Sequence, residues 1–157
     1  MNAESDIPDL SQLWSLLFQI VADVEKRLQA HMAAHNLTPP QFYVLKALVE
    51  QGMQCSIGDI ARELHLTSAT MTGIINRLEA MDPALVNRSR SEADRRSVTV
   101  TLTEAGMERF MAVQAGLMAH VAEMLDLLDD RGKQDLITYA ALYVNEVINR
   151  FPVSDIS

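Results

Sequence analysis

From Leu10 onward the apolar residues fall at Leu10, Leu13, Trp14, Leu17, Val21, Val24 and Leu28, the three-and-four spacing of one helix face. This predicts a long first helix over about 9–35, ending near Asn36. "LTPPQF" opens the next, with Thr38 as cap, Pro39 at the first helical position and Gln41 completing a Thr-x-x-Gln capping box. Phe42, Leu45, Leu48 and Val49 form its buried side, and it stops before Gly52. Ser56, with Asp59 three residues on as a second capping box, caps a short third helix that buries Ile57, Ile60, Ala61 and Leu64. "LHLTS" interrupts the pattern, and Thr67 or Ser68 caps a fourth helix burying Met71, Ile74, Ile75, Leu78 and Met81. A short helix, a tight turn and a longer helix in succession make a helix-turn-helix.

The period then changes. After "MDPA", a turn by its Asp-Pro, Val98, Val100 and Leu102 alternate with Ser97, Thr99 and Thr101, the mark of a half-buried strand. Leu85–Arg90 and Ser97–Leu102 are predicted to pair as a hairpin whose tip holds Ser91 to Arg96. Thr103 caps a long fifth helix carrying Met107, Phe110, Met111, Gln114, Leu117, Met118, Val121, Met124 and Leu125. A break near "DDRG" precedes a last helix with Leu136, Ala140, Tyr143, Val147 and Ile148. The fold class that results is mainly α: a winged helix-turn-helix, with a small β wing, between long N- and C-terminal helices.

Net charge changes the picture only once it is localised. The 157 residues carry a formal charge of -8, which on its own argues against nucleic acid as a partner. Between Ser56 and Thr103, however, six arginines (Arg62, Arg77, Arg88, Arg90, Arg95, Arg96) balance six acids (Asp59, Glu63, Glu79, Asp82, Glu92, Asp94), so the whole excess lies elsewhere. The central cations are all arginine, whose planar fork suits phosphates and base edges. Four of them crowd the hairpin, directly after the helix-turn-helix, where a winged helix carries the basic extension that reaches backbone or minor groove. The outward positions of the fourth helix, Ser68, Ala69, Thr70, Thr72, Gly73 and Asn76, are small or hydrogen-bonding and permit close approach to base edges. Arg77 stands where a phosphate contact is natural. The bland alternatives are a solvated Ser/Thr-rich helix face and a hairpin whose arginines pair with Glu92 and Asp94. Two acids cannot neutralise four arginines, and a hairpin tip is a poor place for core packing.

"LTPPQFYVL", "SIGDIARELHLTSATMTGIINRLE" and "DRRSVTVTLTEAG" resemble, in order and spacing from about Leu37 to Gly106, the MarR family of winged-helix transcriptional regulators. The signature formed by Asp94, Arg96, Val98, Val100, Leu102 and Thr103 is its most specific part. The resemblance implies a homodimer on a pseudo-palindromic double-stranded DNA operator, with recognition helices at about Ser68–Ala80 in successive major grooves. It makes Arg96 the minor-groove probe, with Asp94 orienting an arginine, and Arg88, Arg90 and Arg95 as further wing contacts. It interleaves the terminal helices as the dimer interface, through Leu10, Leu13, Trp14, Leu17, Leu136, Tyr143, Val147 and Ile148. The apolar faces of those helices agree, since so small a chain cannot bury them alone. Domain organisation follows as residues 1–36 and 104–157 for dimerisation around a DNA-binding lobe at 37–103. The family also implies a small phenolic or aromatic effector, unidentified here. This chain departs from the family pattern in running from recognition helix to wing through "MDPALV" where relatives have a single glycine, which bears on the reach of Arg88 and Arg90.

Other chemistry is sparsely signalled. The single cysteine, Cys55, excludes an intramolecular disulfide and any multi-thiolate zinc site, and fits a reducing cytoplasm. It precedes a helix start, as a redox sensor would, but its neighbours suit an inert, buried strand bridge. His31 and His35, four apart, could share a metal in a metal-responsive regulator, although no third ligand is near in sequence; ordinary helix-end histidines are the simpler reading and no metal is expected. No Gly-rich phosphate loop, nucleophile elbow or carboxylate pair suggests an enzyme. "MNAESDIPDL" does not read as a signal peptide, and no apolar run approaches a membrane span, so a cytoplasmic protein without a membrane partner is expected. The remaining rival function is a winged helix that grips an acidic protein instead of DNA.

Overall fold

The computed structural model describes residues 10–90 and 98–150. Its elements run α1 (Leu10–Ala34), α2 (Pro39–Glu50), β1 (Gln54–Ser56), α3 (Ile57–Glu63), α4 (Ser68–Glu79), β2 (Val86–Arg90), β3 (Val98–Leu102), α5 (Glu104–Leu125) and α6 (Asp130–Leu142). A π-helical stretch, Tyr143–Ile148, continues α6. The chain divides into two compact units, one up to Leu117 and one from Met118, with the division inside α5.

Local chemistry explains most boundaries of the first unit. Gln41 Oε1 accepts the Thr38 backbone N–H at 2.8 Å, which fixes the start of α2. Ser56 Oγ accepts the Asp59 N–H at 3.0 Å and gives its own proton to the Asp59 carboxylate at 2.7 Å. An aspartate, one methylene shorter than glutamate, thus meets the capping hydroxyl instead of the backbone N–H that a full capping box would hold. Thr67, not Ser68, caps α4, its Oγ1 accepting the Thr70 N–H. Three helices end alike. Asn36, Gly52 and His65 take the left-handed conformation just past α1, α2 and α3. In each case the next residue's N–H reaches back to the helix, as Leu66 does to the Ala61 carbonyl at 2.8 Å.

The sheet is antiparallel, ordered β1-β3-β2. Its third strand, β1, turns the expected hairpin into a three-stranded sheet, with Cys55 opposite Val100. The hairpin register pairs Val86 with Leu102 and Arg88 with Val100. Helices and sheet close over one core: Met32, Leu45, Leu48, Ile60, Met71, Ile75, Leu78, Leu85, Val86, Val100 and Val113 are essentially inaccessible. Burying each such side chain stabilises the unit by roughly 1.5–3 kcal/mol. Val49, Ile57, Leu64 and Met81, expected on buried faces, are only half-buried at its edge.

The segment between α4 and the wing is drawn into that core. Leu85 is fully buried, and its N–H donates to the Leu78 carbonyl at 3.0 Å. Thr103 then ties three elements together: its N–H donates to the Leu85 carbonyl, its hydroxyl to the Ala84 carbonyl at 2.7 Å, and its Oγ1 accepts the Gly106 N–H. Gly106 is required by this closeness, because a Cβ there would stand 2.1 Å from the Leu85 carbonyl oxygen. The "LTEAG" run is therefore the joint that seats the wing on the first turn of α5.

In the unit from Met118, Asp129 caps α6 by accepting the Gly132 N–H at 2.7 Å. Leu136, Tyr139, Tyr143, Val144, Val147 and Ile148 are all exposed. No described helix is long and apolar enough to cross a membrane.

Candidate nucleic-acid interface

The face of α4 opposite the core is the complement of its buried side. With Met71, Ile74, Ile75 and Leu78 turned inward, Ser68, Ala69, Thr70, Thr72, Asn76 and Arg77 are exposed. Gly73 lies among them, with open space where a Cβ would stand. Two hydroxyls are already engaged: Thr70 Oγ1 lies 2.9 Å from Thr67 Oγ1, and Thr72 Oγ1 donates to the Ser68 carbonyl at 2.8 Å. What this face presents is one amide, several methyls and hydroxyl oxygens, and a guanidinium in the last turn, with no carboxylate until Glu79.

On the wing, Arg88 and Arg90 are exposed in β2. Arg88 meets Glu79, the last residue of α4: its Nε and Nη2 donate to Oε2 at 2.8 and 2.5 Å, and its backbone N–H to Oε1 at 3.3 Å. Sequence reasoning missed Glu79, and no periodicity could have found it, because the pair forms across the turn between helix and strand. The Arg88 guanidinium beside it holds the Glu79 carboxyl below the usual carboxylate range. Asp94, Arg95 and Arg96 lie outside the described residues.

The sensing candidates are placed as follows. His35 is the first residue past the end of α1, its N–H donating to the Met32 carbonyl, and its own carbonyl accepts from Arg109 Nη1 at 2.9 Å. His31 packs against α5, where a Cβ on Gly116 would stand 2.6 Å from its Nδ1. Among the described residues no three His, Cys, Asp or Glu side chains converge as a metal site would need. Cys55 is half-buried rather than buried, beside a shallow hollow shared with Gln51, Asp59, Arg62 and Glu63. Burial and the nearby Asp59 carboxylate push its thiol up, disfavouring the thiolate a sensor uses. A second hollow, about 170 Å³, lies between α1 and α2 and is lined by Glu25, Leu28, Gln29, Met32, Pro39 and Tyr43.

A short helix, a tight turn, a second helix with a small polar outer face and a wing seated beside it define a winged helix-turn-helix, the DNA-binding fold of transcriptional regulators. The MarR family profile matches residues 37–98. The chain is 30% identical over 127 residues to the HTH-type transcriptional regulator SarZ of Staphylococcus haemolyticus, covering 81% of this chain and 83% of that protein. A MarR family protein of known structure from Bacillus stearothermophilus superposes with a TM-score of 0.70 at 26% identity, over 85% of this chain and 89% of the other. Bordetella bronchiseptica BpsR, whose DNA binding is regulated by 6-hydroxynicotinic acid, superposes with a TM-score of 0.60 at 28% identity, over 85% of this chain and 99% of the other. The chain belongs to the MarR family and is a DNA-binding transcriptional regulator of that type.

Proposed function

We propose that the chain works in the cytoplasm as a homodimeric repressor that places two copies of α4 in successive major grooves of a pseudo-palindromic operator, and that a small aromatic or phenolic effector releases it. The observation that carries the reading is the outer face of α4: small, hydrogen-bonding and free of carboxylates over Ser68–Arg77 in a protein whose net charge is -8. Asn76 has the amide that reads adenine, and Ala69 and Thr72 have methyls that suit thymine. Arg77, Arg90, Arg95 and Arg96 supply phosphate or minor-groove contacts.

Dimerisation is supported by α1 and α6, where Trp14 is 69% and Tyr139 is 68% exposed with many apolar neighbours likewise uncovered. Exposure on this scale marks an interaction surface. Effector release is supported by the hollow between α1 and α2, whose size suits a single ring and falls below the roughly 300–1,000 Å³ of drug-sized pockets, and by the ligand control of the related BpsR. Because half-sites must lie about one helical turn apart, a small splay of the two α4 helices abolishes binding.

The test is binding to a randomised pool of duplexes at several salt concentrations, beside an Arg96→Ala variant. A recovered palindrome, with a steep salt dependence that flattens in the variant, is the expected result. A folded protein that recovers no sequence even at low salt overturns the proposal.

A further inference from the structure

Glu79 is a poor choice for its position on local grounds. It ends α4, where the negative pole of the helix disfavours a carboxylate, and it adjoins a surface that must face polyanionic DNA. Its setting supplies the reason for its presence. Three donors of one residue, the Nε, Nη2 and backbone N–H of Arg88, converge on the Glu79 carboxylate. The backbone donor matters most: it belongs to an edge strand and points away from β3, so Glu79 holds the strand itself and not only a flexible side chain. Arg27–Asp23, Lys46–Glu50 and Arg62–Asp59, by contrast, each lie within one helix. Glu79–Arg88 joins two elements, and with both side chains only about one-third exposed it is partly shielded from solvent.

We propose that Glu79 is a positioning residue for DNA recognition: it withdraws Arg88 from the phosphates and uses it to lock the first strand of the wing to the end of the recognition helix. This rests on the reading of α4 and the wing as the DNA interface. β2 runs on to Arg90, so a rotation about Arg88 grows toward the outer end of the wing. The angle between helix and wing decides whether the wing arginines meet DNA while α4 sits in the groove. Arg88 then acts through Glu79, and Arg90 acts on DNA directly.

The two roles have opposite signatures. A carboxylate near DNA is repulsive, so electrostatics alone makes Glu79→Gln bind more tightly, whereas loss of positioning makes it bind more weakly. The probe is a duplex selected from a randomised pool by the wild-type protein, with affinity measured across salt for Glu79→Gln, Arg88→Gln, the double variant and Arg90→Gln. The expected result is a loss on the order of tenfold for Glu79→Gln and for Arg88→Gln, with no further loss in the double variant. The logarithmic salt slope stays at the wild-type value for Arg88→Gln and flattens for Arg90→Gln by about 0.9, one phosphate's worth. Tighter binding by Glu79→Gln, or a flattened slope for Arg88→Gln, overturns the proposal. If the single variants fail to fold, Glu79→Asp decides, because it keeps the charge and shortens the reach by one methylene: weaker binding by the folded variant supports the lock, and wild-type affinity refutes it. A wild-type protein that selects no duplex fails at the prior step, and the inference falls with the DNA reading.

Discussion

Leu45, Leu48, Ile60, Met71, Ile75 and Leu78 are fully buried within a single chain, whereas Leu10, Leu13, Trp14, Leu17 and Val21, at the same helical spacing, stay exposed. Leu136, Tyr139, Tyr143 and Val147 repeat that exposure in the unit from Met118. Both sets obey one pattern of apolar positions. In the winged helix-turn-helix, short helices and three strands supply each other's cover, so the core closes on itself. The long terminal helices have apolar faces that this chain does not cover, and the proposed second copy is what completes them. Periodicity therefore reports which face is apolar, and topology decides whether the cover comes from the same molecule.

The sharpest way to break that contrast is to mutate both sides of it. Leu48→Ala, in the closed core, should cost about 2–5 kcal/mol, seen as an equal loss in denaturant midpoint at low and high protein concentration. Gly106→Ala strikes the joint between wing and α5; overpacking there should cost about 1–3 kcal/mol or more, and an unchanged melting temperature would refute the close contact with Leu85. Trp14→Ser with Tyr143→Ser should leave the secondary structure by circular dichroism intact yet make the protein monomeric in sedimentation. A variant as dimeric as the wild type would show that these faces serve another purpose.

Smaller effects test the local chemistry of the lobe. Thr67→Ala, which removes the α4 cap, should cost about 1 kcal/mol. His65→Gly relieves a left-handed residue in the turn between α3 and α4 (φ 52°) and should stabilise by about 1 kcal/mol. The Glu79–Arg88 pair has a defined pH signature. Arg88 lowers the folded-state pKa of Glu79, so the pair's contribution is complete above the usual carboxylate range and is lost as pH falls through the folded value. Glu79→Gln should remove that part of the acid dependence of unfolding.

How much of this was legible beforehand differs by element. The buried side of α4 follows from Met71, Ile74, Ile75 and Leu78, and its outward side, the proposed DNA-reading face, is the remainder. The caps at Thr38, Ser56 and Thr103 and the alternation of Val98, Val100 and Leu102 were equally readable, because each depends on residues a few positions apart. Three things were not. β1 spans only Gln54–Ser56, too short for a period. His65 adopts a backbone conformation that its residue type rarely does, imposed by the helix end. The Glu79–Arg88 lock depends on the path of the intervening turn, which brings residues nine apart into contact. The sequence marked Arg88 only as a wing cation, and the fold shows that it holds Glu79.

The central claim, that a dimer completes both the apolar helices and the DNA-reading surface, is tested most directly by the stoichiometry of the complex in sedimentation. A duplex selected from a randomised pool should carry two chains, and cutting it to one half-site should abolish tight binding. One chain per duplex, held as tightly by the half-site as by the full site, would contradict the account.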